Sequence, residues 1–146
     1  MRLTPERSLL CVIDVQEKLL AAMADADRVV ARCLRLAEAA RLLGVRSVLT
    51  EQYPQGLGPT PASLAESLPA AAQKMSFSCS GCGAFDAAIA AGMPAVILAG
   101  LETHVCVAQT ALDLLAAGRN VFVVVDAVAS RHAIDHDTAL RRLESA

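Results

Sequence analysis

The chain has 146 residues, enough to bury one sizeable core and too few for two, so a single domain over 1–146 is expected. A formal net charge of −2 with no lysine- or arginine-rich run lacks the electrostatic footprint of a phosphate-backbone binder, which argues against a nucleic-acid partner. No stretch approaches the roughly 18 apolar residues of a membrane span, and MRLTPERSLLCVIDVQ has no small-residue cleavage site, so no membrane partner and a cytoplasmic location are expected.

In chain order, SLLCVID (8–14) is an apolar run of strand length. Residues 27–43 then carry Val29, Val30, Cys33, Leu36, Ala37, Ala40 and Leu43 at three- and four-residue spacing ahead of Gly44, which predicts a helix and its stop. VRSVLT (45–50) is a second strand. The segment 51–70, EQYPQGLGPTPASLAESLPA, holds four of the six prolines and reads as a long loop of functional interest. A helix near 84–91, a strand AVILAG (95–100), a helix at 105–117, a strand NVFVVVDA (120–127) and a helix at 132–144 complete the chain. The strand runs are continuous rather than alternating, as in strands buried on both faces. The expected class is α/β: a three-layer α-β-α, Rossmann-like open parallel sheet of about five strands.

Ligands of such sheets bind beyond the carboxyl ends of the strands, so polar residues that close apolar runs are the candidates: Asp14, Glu51, Cys106 and Asp126. Cys106 follows AVILA through the turn GLETHV and opens the next helix, where free N–H groups and the helix dipole favour a thiolate and can receive an oxyanion. Asp14 would emerge at the same edge and could accept the thiol proton. Lys74 is one of only two lysines in the chain and sits in the apolar patch AAAQKMSF, where its ammonium could hold Asp14 and favour the thiolate. Each residue also has a structural reading: a buried core cysteine, a turn aspartate and a lysine reaching out from a sheet edge.

Five cysteines are an odd number, lie mostly in apolar segments and are expected as reduced thiols. CSGC (79–82) has redox spacing without a second pair or a thioredoxin-like context. His132 and His136 are one helical turn apart but lack an evident third metal ligand, and Asp126 fits a structural strand end.

Through VIDVQEKLL (12–20), TEQYPQGLGPT (50–60), KMSFS (74–78), LAGLETHVCVAQTALDLLAAG (98–118) and VVVDAVASR (123–131), the sequence resembles the isochorismatase-like cysteine hydrolases, most of all the isochorismatase-domain-containing subgroup. The resemblance implies a catalytic triad at Asp14, Lys74 and Cys106. It also implies a cis peptide at Leu101–Glu102 and an oxyanion hole from the N–H groups of Glu102 and Cys106. Gln52, Tyr53, Phe77 and Thr103 are substrate-pocket candidates, with loop packing as the competing role for the first three. Family members resembling nicotinamidase carry an Asp and His metal cluster after the second strand, whereas this chain has EQYPQGLGPT there and no histidine before His104, so neither metal nor cofactor is expected. Retention of Cys106 favours covalent chemistry over the vinyl-ether hydrolysis of isochorismatase itself.

The leading expectation is a metal-independent cysteine hydrolase of a small amide or related C–N bond, acting through a thioester on a small-molecule substrate. The alternative is a non-catalytic binding or scaffold protein that keeps the fold. Relatives usually continue into a final edge strand, which implies a C-terminally short domain with an exposed edge and hence a homo-oligomer.

Overall fold

The computed structural model describes residues 2–146 and contains a five-stranded parallel sheet in the order β3-β2-β1-β4-β5. β1 (Ser8–Ile13) is the central strand, with every residue buried. It lies between β2 (Arg46–Gln52) and β4 (Ala95–Leu101), and β3 (Ala72–Lys74) and β5 (Asn120–Ala129) form the edges.

The two-residue period of the strand divides the core into two layers. Leu9, Cys11 and Ile13 face a cluster that includes Phe85 of α5 (Gly83–Ala90) and Ala111 and Leu114 of α6 (Ala108–Ala116). Leu10 and Val12 face the opposite cluster, with Val29, Cys33 and Ala40 of α2 (Ala26–Leu43) and Leu64 of α4 (Ala62–Ala65). α7 (Ala133–Glu144) adds the partly buried Leu140 and Leu143 to the first layer. Helices therefore cover both faces, which explains the unbroken apolar strand runs. α2 ends at Gly44, whose φ of 70° supports a left-handed cap bonded back to Ala40 and Arg41.

Three elements depart from the sequence expectation. The segment 51–70 is ordered: β2 runs on through Gln52, and α3 (Pro54–Leu57) and α4 follow. Buried Gln16, just ahead of α1 (Glu17–Leu20), ties this segment down by donating to the Gln52 and Gly58 carbonyls and accepting from the Gln52 amide. The fifth strand, β3, has only three residues and pairs with the end of β2, with Lys74 opposite Gln52. A segment that short carries no period of its own.

Finally, the expected helix at 105–117 divides into a π-helical turn, Thr103–Val107, and α6. Cys106 therefore lies inside a widened turn of the kind that often marks functional sites, rather than at an α-helical N-terminus.

Gly100 is fixed by close approach. Its φ is 119°, and a Cβ there would lie 2.0 Å from the Ile13 carbonyl oxygen. No helix among the described residues is long and apolar enough to cross a membrane.

Candidate active site

Asp14 immediately follows β1 with a φ of 49°, and its N–H donates to the Thr50 carbonyl at 3.1 Å. Its carboxylate accepts from Thr50 Oγ1 at 2.8 Å and from Lys74 Nζ at 2.6 Å. Lys74 also donates to the Ser76 carbonyl at 3.1 Å and the Phe77 carbonyl at 2.8 Å, so each of its three N–H groups has a partner. The two side chains are 0% and 2% exposed, making this an ion pair in which neither charge has solvent as a substitute partner. The central strand supplies Asp14, its neighbour supplies Thr50, and the short edge strand delivers Lys74.

Cys106 is buried in the π-helical turn, and its carbonyl accepts from Thr110 Oγ1 at 2.7 Å. Burial raises the thiol pKa well above the ordinary value, the Asp14 charge raises it further, and Lys74 opposes both. A helix N-terminus would favour a thiolate; burial and the nearby carboxylate instead favour the protonated sulfur. Asp14 and Lys74 thus act on the Cys106 thiol with opposite signs.

Glu102 and the first two residues of the turn are fastened to residues that follow β5, in the connection to α7 and in α7 itself. Glu102 accepts from Arg131 Nε at 3.1 Å and from the Arg131 backbone N–H at 3.0 Å, and Arg131 Nη2 lies 3.1 Å from its Oε1 in the ion pair. Thr103 Oγ1 pairs with His136 Nδ1 at 2.9 Å, and His104 Nδ1 pairs with Ser130 Oγ at 2.9 Å. The Leu101–Glu102 peptide is cis.

Cys106 borders a pocket of about 260 Å³. Leu19, Leu57, Phe77 and Val105 form its apolar wall, while Gln52, Glu102 and Arg131 supply polar groups. Of the four pocket candidates, Gln52 and Phe77 line this space. Tyr53 does not: it precedes α3 with its ring packed beside Gly56. Thr103 does not either, being fully buried against His136.

Other sequence candidates lie apart from this pocket. Glu51 Oε1 accepts from the Thr60 N–H at 2.7 Å, and Asp126 pairs with Arg32 at 3.0 Å on the surface. Cys79 and Cys82 are buried free thiols in the same core layer as Cys11. Among the described residues, no three His, Cys, Asp or Glu side chains converge as a metal site.

Sequence reasoning missed Thr50 and Arg131. Thr50 closes the run VRSVLT, a signal for a polar residue at the active edge. Arg131 follows a strand that continues past the expected end at 127 to Ala129.

The isochorismatase domain matches residues 8–146. This chain belongs to the isochorismatase family. Isochorismatase domain-containing protein 2A of Mus musculus is 40% identical over 142 residues, covering 97% of this chain and 69% of the relative. The MAR1 ribonuclease structure from Caenorhabditis elegans is 40% identical, with a TM-score of 0.93 over 99% of this chain and 76% of that one. The YcaC gene product of Escherichia coli, described as an octameric hydrolase of unknown specificity, is 28% identical, with a TM-score of 0.91 over 99% of this chain and 74% of that one. Membership of the isochorismatase family supports a hydrolase-type enzyme.

Proposed function

We propose that this isochorismatase-family protein is a metal-independent cysteine hydrolase of a small amide or related C–N bond, with Asp14, Lys74 and Cys106 as its triad. The observation that carries the reading is the buried Asp14–Lys74 pair, 2.6 Å apart, whose two charges shift the pKa of the pocket-lining Cys106 in opposite directions. A purely structural cysteine needs no such neighbours.

The thiol is protonated at rest, so attack and proton transfer belong together. Asp14 takes the proton from Cys106 Sγ as the sulfur bonds to the amide carbonyl carbon. The resulting oxyanion is received by the N–H groups of Glu102 and Cys106. Collapse breaks the C–N bond, and Asp14 passes its proton to the departing nitrogen, leaving a thioester. Water then adds to the thioester carbonyl while Asp14 takes one of its protons. Collapse expels the sulfur, which recovers that proton from Asp14, and the acid product leaves. Lys74 stays charged throughout and fixes the carboxylate.

A screen of small amides and imides tests this reading, with Cys106→Ala as the inactive control and mass spectrometry of the acyl-enzyme as the direct readout. Turnover should persist in chelator, since no set of three ligands is assembled among the described residues. Loss of activity with chelator and its recovery with added metal would overturn the metal-free mechanism. A protein that folds but neither turns over amides nor acylates at Cys106 is the scaffold of the alternative reading.

The C. elegans relative is named a ribonuclease, but a net charge of −2 without a lysine- or arginine-rich run does not favour a polyanionic substrate for this chain. Self-association is also proposed: β5 is an edge strand with exposed Val125, and the E. coli relative is octameric. Light scattering in line with gel filtration reads the stoichiometry.

A further inference from the structure

The polar groups that line the pocket, and the Asp14–Lys74 pair outside its lining, differ in whether they already have partners. Lys74 gives its three N–H groups to Asp14, Ser76 and Phe77. The Glu102 carboxylate is almost fully buried, accepts from Nε and the backbone N–H of Arg131, and forms an ion pair with that guanidinium. Each ionic group is therefore matched by a partner within the chain, and the two pairs leave no net charge at the site. A charged substrate group would lose its water here without gaining an unmatched counter-charge.

Gln52 is different. Its Nε2 donates to the Met75 carbonyl at 2.9 Å, which orients the carboxamide, and no protein group among the described residues donates to its Oε1. It is a neutral acceptor on the wall of a small pocket otherwise formed by side chains such as Leu19, Leu57 and Val105. An amide N–H fits such an acceptor, whereas an ester oxygen cannot donate to it.

Building on the hydrolase reading, we infer that the substrate is an uncharged small amide with an apolar substituent, that Gln52 Oε1 recognises its N–H, and that the self-paired charges exclude carboxylate- and ammonium-bearing analogues. The mainly apolar wall accommodates the substituent, and the volume of about 260 Å³ limits it to a short branched chain or a single ring.

Charge selection can be read without turnover. Hydroxyethyl, sulfonatoethyl and aminoethyl methanethiosulfonates are similar in size and neutral, anionic and cationic respectively. Their rates at Cys106, followed by mass spectrometry and normalised to those of mercaptoethanol, should favour the neutral reagent by at least about fivefold. A smaller preference, or no labelling by any reagent, overturns the inference.

Glu102→Gln leaves the Arg131 charge unmatched and should move the preference towards the sulfonate. Arg131→Gln leaves Glu102 unmatched and should move it towards the amine. Either variant suffices if the other fails to fold, and an unchanged preference in a folded variant rejects self-pairing as the cause.

The amide half is tested with isobutyramide and ethyl isobutyrate. Gln52→Leu should lower kcat/KM for the amide by about tenfold or more and for the ester by less than about threefold. Equal losses would remove Gln52 from amide recognition. If no amide is hydrolysed by the wild type, the hydrolase reading and amide recognition both fail, while the labelling ratios still decide whether the pocket selects against charge.

Discussion

The two halves of the sheet each carry an ion pair, and the pairs are held in different ways. On the β1–β2–β3 side, Asp14 and Lys74 are 0% and 2% exposed. On the β4–β5 side, Glu102 is 5% exposed but Arg131 is 54% exposed. The first pair is built on strand ends with no solvent to replace a lost partner. The second fastens a turn to the segment after β5, with water available to one partner. Groups that hold and move a proton need a dry, fixed environment, whereas a fastening between loops tolerates partial screening. Disrupting the first pair should therefore change both chemistry and stability, and disrupting the second should produce smaller, more local effects.

The largest expected effect follows Asp14→Asn. Loss of the proposed proton acceptor should lower turnover by about 10²–10⁴-fold. The same change removes a charge that raises the Cys106 pKa, so the alkylation profile should move to lower pH even as turnover falls. Substantial turnover by the folded variant would falsify the triad.

Lys74→Met should move that profile the other way, to higher pH, because the group that lowers the thiol pKa is lost. It also leaves Asp14 buried without its cation, which should cost about 3–5 kcal/mol in urea unfolding. The double variant Asp14→Asn/Lys74→Met removes both members and should be more stable than Lys74→Met alone. A double variant no more stable than that single variant would show that charge pairing is not the source of the loss.

On the other side, Arg131→Gln should cost about 1–2 kcal/mol, because Glu102 keeps the Arg131 backbone N–H and solvent screens the pair. A loss as large as that of Lys74→Met would erase the contrast between the halves. Smallest of all, Thr103→Val should cost about 1 kcal/mol by removing the hydrogen bond to His136. If the turn must be held in place for catalysis, Thr103→Val should lower kcat more than it raises KM, and a change confined to KM would argue against that role.

The sequence by itself determined the α/β class, the buried strands, the Gly44 stop and the family, because these follow from local periodicity and contiguous motifs. Asp14 and Cys106 were legible as polar residues closing apolar runs, and Lys74 as a rare cation in an apolar patch. Tertiary structure decided what those residues experience. Lys74 reaches Asp14 because a three-residue edge strand pairs with Thr50–Gln52 of β2, and this contact across 60 residues is encoded by no local pattern. The sequence suggested a thiolate at a helix start, whereas burial and the neighbouring carboxylate keep the Cys106 thiol protonated. Arg131 meets Glu102 only because β4 and β5 lie side by side and β5 runs on to Ala129. Hydrophobic period is a property of neighbours along the chain, while burial, pairing and proton affinity arise from neighbours in space.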